Sequence, residues 1–147
     1  MIRVEMDQAA VNRIQESLST FSPRLTRKVY RELREILYRE LGPTLIRHFL
    51  CCRPPDAPPV PRILTIRTGR LFNSVLKSLR ISESGGRLTI SIGSNVPYAA
   101  IHEYGGGYIP PRPYLRPTMK DLEHMLPSLL ERAIQQLNPT RLVSESQ

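Results

Sequence analysis

The chain has 147 residues, of which 40% are hydrophobic and 23% charged, a balance typical of a soluble globular domain and not of a disordered or fibrous chain. Its apolar runs fall far short of the roughly 18 residues that a membrane-spanning helix needs, and acids stand near the N-terminus where a signal peptide needs an apolar stretch. The net charge is +8, and the excess lies in residues 1–80, which hold 15 basic and 7 acidic side chains. Because the N-terminus does not resemble a signal peptide, we expect a protein made and kept in a cytoplasm.

Two helices are predicted in the N-terminal third. The apolar residues of 8–20 recur at helical spacing, which predicts a first short helix. Ser22 and Pro23 form an N-cap followed by a first-turn proline, and they begin a second, longer amphipathic helix. Gly42-Pro43 is predicted to break or kink this helix, because proline removes an amide donor and clashes with the preceding turn.

The middle of the chain predicts a connector followed by a hairpin. Residues 51–62 hold five prolines in twelve positions, which indicates a stiff, extended loop across the surface of the same domain. Residues 63–66 are consistent with a short strand, and the segment after residue 70 suits a helix or a strand. Apolar and polar residues alternate from 87 to 93, which predicts a strand paired with 75–82.

The C-terminal third predicts two more helices around an extended segment. A short helix over 98–104 is stopped by three glycines, and the prolines of 108–113 require extended backbone. The last helix is predicted from Pro117 or Thr118 to residue 137, with a bend at Pro127. The expected fold class is α+β, a small antiparallel sheet packed with N-terminal and C-terminal helices in one domain over 1–137, with a polar tail over 138–147.

The titratable and glycine-rich motifs do not predict an enzyme. His48, Cys51 and Cys52 are too few and too closely spaced for a structural zinc site. His102-Glu103 begins like a zinc-protease signature, but the residue four positions after His102 is a glycine. The glycine triplet lacks the preceding strand and the Gly-Lys-Ser/Thr ending of a phosphate-binding loop. We predict no catalytic residue, no metal and no cofactor.

Two segments are candidates for contacts with other molecules. Four of the six tyrosines lie within 17 residues, near Arg112 and Arg116. Rings and arginines of this kind stack on single-stranded bases or form hot spots between proteins, and the neighbouring prolines favour the second interpretation. The second helix carries basic residues that indicate a solvated face, contact with an acidic protein or contact with DNA: Arg24, Arg27, Lys28, Arg31 and Arg34.

Three segments, in this order and spacing, resemble the phage virion morphogenesis (tail completion) family and, more distantly, the neck and tail-terminator proteins of long-tailed phages. They are Thr68-Gly69-Arg70-Leu71, the stretch from Ile92 to Gly106 (IGSNVPYAAIHEYGG), and Ile109 to Leu115 (IPPRPYL). The resemblance covers about residues 60–137. The family more often has phenylalanine at Tyr104 and Tyr114 and alanine at Pro111. The added hydroxyls suggest rings that lie at an interface.

The resemblance implies a structural virion protein with no enzymatic activity. Its protomers are expected to form a hexameric ring at the head–tail junction, assembled in the bacterial cytoplasm, in contact with neck or connector proteins, the tail tube and, in a contractile tail, the sheath. DNA would pass through the ring, and segment 105–116 would dock on a neighbour. The residues expected at subunit or tail contacts are Thr68, Gly69, Arg70, Leu71, Tyr98, Ala99, His102, Glu103, Tyr104, Gly105, Arg112, Pro113, Tyr114 and Leu115. The alternative is a basic, non-enzymatic nucleic-acid-binding protein.

Overall fold

The structure is a computed structural model that describes residues 2–50, 64–65, 69–84 and 87–137. Within these ranges it confirms the predicted α+β class, with five helices, a three-stranded antiparallel sheet and a two-stranded parallel pair. The proline-rich loop at 51–62 and the tail at 138–147 lie outside the described residues.

The elements follow one another in alternating groups of strands and helices. The helices are α1 (Gln8–Ser17), α2 (Pro23–Ile46), α3 (Arg70–Leu76), α4 (Ala99–Tyr104) and α5 (Leu115–Leu137). The strands are β1 (Ile2–Glu5), β2 (Phe49–Leu50), β3 (Leu64–Thr65), β4 (Arg80–Ser84) and β5 (Arg87–Ser94).

The sheet has β5 at its centre, with β1 and β4 antiparallel on either side. The two strands of the predicted hairpin are therefore present, but the first begins at residue 80 because α3 occupies 70–76. Strand β1 was not predicted, although Ile2 and Val4 alternate with Arg3 and Glu5 as in a half-buried strand. It lies so close to β5 that a Cβ at Gly93 would stand 2.3 Å from the carbonyl oxygen of Ile2.

The long helices α2 and α5 pack against each other, and α5 also contacts β1 and β5 of the sheet. Ser22 caps α2 as predicted, since its hydroxyl accepts a 3.3 Å hydrogen bond from the Leu25 N–H. The core is formed by the apolar faces of both helices together with the inward side chains of β5: Val29, Leu33, Ile36, Leu37, Leu41, Leu45, Leu88, Ile90, Ile92, Leu122, Leu126 and Leu129.

The predicted break of the second helix at Gly42-Pro43 is wrong, whereas the alternative of a kink there and the bend at Pro127 remain predictions. Helix α2 continues through Pro43 to residue 46, and α5 continues through Pro127 to residue 137. Both prolines are exposed, whereas Leu41 and Leu45 on either side of Pro43 are fully buried. Tertiary packing thus holds the helix on both sides of the missing amide donor.

Candidate functional site

Helix α4 and its N-cap residue Tyr98 expose large apolar side chains and bury a charged one. Ala99 and Glu103, four residues apart, are both fully buried. Tyr98, Ile101 and Tyr104 follow one another at intervals of three residues on the opposite face and are exposed. An amphipathic helix of a monomeric protein has the reverse arrangement, so the outward face of α4 requires an explanation.

The exposed face of α4 continues into a tight turn. Gly105 ends α4 with a φ of 77°, and a Cβ there would meet the Ile109 carbonyl oxygen at 3.0 Å, so glycine is needed. Gly106 and Ile109 then exchange two backbone hydrogen bonds of 3.0 and 2.9 Å. This turn places Tyr108 at its tip, where the side chain is fully exposed.

We call the result the aromatic surface, defined by five exposed side chains from α4 and the turn. Their exposed fractions are 36% for Tyr98, 40% for Ile101, 53% for Tyr104, 106% for Tyr108 and 45% for Ile109. These are the large exposed hydrophobic residues of the described chain, and they fall in one stretch of twelve residues. Such clusters on a small protein mark sites of contact with other macromolecules.

The buried Glu103 carboxylate caps the N-terminus of α5. Its Oε2 accepts hydrogen bonds from the N–H groups of Tyr114 and Leu115 at 2.7 and 2.8 Å. Its Oε1 accepts from the N–H and the Nε of Arg116, both at 3.0 Å. The next residue, Pro117, has no N–H, so every donor of the first turn is either satisfied or absent. A carboxylate here also lies at the positive end of the helix dipole.

Tyr114 joins the same two helices from inside the core. It is fully buried, its hydroxyl donates a 2.9 Å hydrogen bond to the Ala99 carbonyl oxygen, and its ring centre lies 5.5 Å from that of Phe49. Burial, with a smaller contribution from the Glu103 charge, raises the pKa of the Tyr114 hydroxyl well above its usual range. We call Glu103, Tyr114 and Arg116 the α4–α5 clasp. It gives the aromatic surface a rigid support.

The clasp extends to two further side chains. The Arg116 guanidinium lies 4.8 Å from the centre of the Tyr104 ring, which orients that ring on the aromatic surface. The Arg112 N–H donates a 2.7 Å hydrogen bond to the His102 carbonyl oxygen. Among the described residues, His102 Nδ1 and Arg112 Nε are buried atoms without a hydrogen-bond partner. Burial, and then the charge of Arg112, lowers the pKa of the His102 imidazole.

The structure divides the predicted contact residues into two groups. The expectation that Tyr114 lies at an interface is wrong, because its hydroxyl already has a partner inside the chain. Glu103 is likewise fully engaged in the clasp, and Leu71, Ala99 and Leu115 are also buried in the chain's own core.

The other predicted contact residues lie nearer the surface. Tyr98 and Tyr104 are exposed, His102, Gly105, Arg112 and Pro113 are half-buried, and Gly69 and Arg70 begin α3. Thr68 lies outside the described residues.

Three members of the aromatic surface were not named as individual contact residues, although Tyr108 and Ile109 lie in the segment 105–116 that was predicted to dock on a neighbour. Ile101 lies between the two predicted tyrosines at helical spacing, which is a signal that the sequence does contain. Tyr108 and Ile109 depend on the hairpin-like turn, whose geometry follows from Gly105 and the backbone pairing of Gly106.

The five basic residues predicted on the second helix are all exposed. Arg24, Arg27, Lys28, Arg31 and Arg34 recur at intervals of three and four residues, so they share one side of α2. We call them the basic stripe.

The described residues contain neither a metal-binding cluster nor a membrane-spanning helix. The described ranges contain no group of three or more His, Cys, Asp and Glu side chains able to hold a metal ion. His48 Nε2 instead pairs with Asp121 Oδ2 at 2.8 Å, and Cys51 and Cys52 lie outside the described residues. None of the helices described here has the length and apolarity needed to cross a bilayer.

Part of the chain is similar to an archaeal protein. No protein-family model matches the chain, and no solved structure matches it. An uncharacterised protein of the archaeon Methanocaldococcus jannaschii is 30% identical over 71 residues, which are 47% of this chain and 51% of that protein. The chain thus spans about half the length of the curated relative that it matches, and that relative has no described activity to compare.

Proposed function

We propose that this chain is a structural virion protein of a tailed bacteriophage. It forms a ring, hexameric in the family it resembles, at the head–tail junction, where it terminates or completes the tail and joins it to the head connector. The observation that carries the proposal is the inverted polarity of α4, which buries Glu103 and exposes Tyr98, Ile101 and Tyr104. In an isolated protomer this arrangement leaves apolar surface in water, whereas a neighbouring subunit would cover it.

The α4–α5 clasp supports the same function. A subunit interface needs a surface that keeps its shape, because ordering flexible side chains on binding costs free energy. The clasp fixes α4 and the turn relative to α5 through Glu103, Tyr114 and Arg116. The aromatic surface is thereby pre-organised, and its tyrosines and isoleucines are the kinds of residue that occupy the centres of protein interfaces.

Self-association of the purified chain tests the interface directly. We expect the wild-type chain to form a closed oligomer in multi-angle light scattering, visible as a ring by negative-stain electron microscopy. A variant with Ile101→Gln and Tyr108→Ser should be monomeric but still folded by circular dichroism, because both side chains are exposed. The control variant carries Arg13→Gln and Glu16→Gln at exposed positions of α1 and should assemble normally. A monomeric wild type, or equal assembly by both variants, would contradict the proposal.

A second candidate is a basic, non-enzymatic nucleic-acid-binding protein, which the basic stripe favours. In that case the protomer needs no ring to act, and the variant with Ile101→Gln and Tyr108→Ser should bind nucleic acid as the wild-type chain does. The first candidate predicts that a variant unable to assemble has lost its function, and the second predicts that it has not.

A further inference from the structure

We infer that the basic stripe is a sequence-independent binding site for the phosphate backbone of duplex DNA. This inference concerns a surface that the proposed subunit contacts do not use, and it can be tested on the chain whether or not it assembles. It rests on the exposure, spacing and unpaired state of Arg24, Arg27, Lys28, Arg31 and Arg34.

The stripe carries charge that the rest of the described chain does not neutralise. Ion pairs join His48 to Asp121, Arg116 to Glu103 and Arg132 to Glu40, and none of these three involves a stripe residue. Helical geometry places Glu32 four residues after Lys28 and Glu35 four residues after Arg31, so two acids lie beside the five cations. The stripe therefore keeps an excess of positive charge.

The length of the stripe fits a nucleic-acid strand. Arg24 and Arg34 are ten residues apart, which corresponds to about 15 Å along a helix. Over about that axial length, one strand of a duplex carries four to five phosphates. Four of the five cations are arginines, whose planar guanidinium groups bind phosphate oxygens in a bidentate manner.

The chemistry of this face favours DNA over an acidic protein. Protein interfaces have an apolar or aromatic centre. In the described chain, the large exposed hydrophobic residues all lie on the aromatic surface and none lies on α2. Two rings lie beside the stripe on α2: Tyr30 is half-buried and packs against the core, and Tyr38 is half-buried under the Arg34 guanidinium at 5.6 Å. The Tyr38 hydroxyl donates to the Leu79 carbonyl oxygen at 3.2 Å. This face therefore offers positive charge, which phosphate recognition requires, and it lacks the exposed apolar centre of a protein interface.

The face of α2 opposite the stripe packs against the core. Leu33, Ile36, Leu37 and Leu41 on the opposite face of α2 are fully buried against the core. This packing fixes the backbone of α2 and so the spacing of the Cα atoms that carry the cations. Because the stripe side chains are exposed, substitutions among them should leave the fold unchanged.

The experiment measures binding of a fluorescent mixed-sequence DNA duplex by anisotropy at several salt concentrations. If three to five phosphates are contacted, the affinity of the wild-type chain should fall by about 40- to 500-fold between 50 and 200 mM salt. The Arg27→Gln, Arg31→Gln variant should bind at least tenfold more weakly at 50 mM salt, and the slope of log affinity against log salt should decrease by about 2.

Two further variants separate a local site from overall charge. Arg13→Gln with Lys120→Gln removes the same net charge from exposed positions of α1 and α5 and should leave the slope unchanged. Glu35→Gln removes an acid beside Arg31 and should tighten binding, whereas Glu16→Gln on α1 should have a smaller effect. Circular dichroism checks that each variant is folded.

Three results would overturn the inference. The first is no binding of the duplex by the wild-type chain at 50 mM salt. The second is equal weakening by the stripe variant and its charge-matched control, which would assign binding to net charge alone. The third is stripe-dependent binding of poly-glutamate but not of DNA, which would assign the stripe to an acidic protein partner.

Discussion

Replacing Glu103 by glutamine tests the clasp that supports the aromatic surface. Each carboxylate oxygen accepts two hydrogen bonds, from Tyr114 and Leu115 on one side and from two Arg116 groups on the other. In either orientation, the glutamine NH2 group would face two N–H donors in a fully buried position. The substitution also removes the negative charge from the start of α5 and from Arg116.

The expected loss is large because the site is buried. Leaving buried donors unsatisfied costs about 1–3 kcal/mol each, and breaking a buried ion pair about 3–5 kcal/mol. Since the Arg116 side chain is half exposed, the ion-pair contribution is reduced by solvent, and we expect a total loss of about 3–5 kcal/mol. In a domain of this size that corresponds to a fall in Tm of roughly 10–20 °C.

Thermal and urea unfolding followed by circular dichroism provide the measurement. The matched control is Glu123→Gln, because Glu123 also accepts a backbone hydrogen bond, from the Asp7 N–H at 2.7 Å, but in an exposed setting. This control should lose about 0.5–1 kcal/mol. Equal losses for the two variants would refute the conclusion that Glu103 holds α4 to α5.

Three further substitutions have smaller expected effects. Tyr114→Phe removes the hydrogen bond to Ala99 and should cost about 1 kcal/mol in urea unfolding with no change in assembly, since the ring is buried; an assembly defect in a folded variant would contradict this. Gly93→Ala should cost about 1–3 kcal/mol, because its Cβ would press on the β1 backbone at Ile2, and amide exchange should show β1 released first. The lowered pKa of His102 means that the folded state binds fewer protons than the unfolded state just below pH 6.5. Stability should therefore fall on acidification from pH 7 to 5, and less steeply in His102→Gln; identical slopes would show that His102 does not contribute.

Local signals predicted the parts of the fold that depend on neighbouring residues in sequence. Ser22 and Pro23 start α2 as expected, because an N-cap and a first-turn proline act within a few residues. The start of α5 was predicted two or three residues too late, because Glu103 caps it from twelve residues away. Gly42-Pro43 was predicted to break or kink α2, and the break does not occur because α2 packs on α5 along its length.

The sequence predicted only part of the candidate site, because the rest depends on contacts between residues that are far apart along the chain. Clustering of tyrosines predicted an aromatic segment, and Tyr98 and Tyr104 are indeed exposed. Sequence could not show that Tyr114 points inward, since this follows from its pairing with Ala99 and Phe49, which are distant along the chain. An expectation based on the hydroxyl alone thus assigned to an interface a ring that belongs to the core.

Electron microscopy of a lysate from a phage that carries a nonsense mutation in this gene tests the proposed function most directly. We expect filled heads beside unjoined tails. Unjoined tails of abnormal length would show that the protein terminates the tail, and unjoined tails of normal length would show that it completes or joins it. Normal, infectious virions in that lysate would contradict a structural function at the head–tail junction.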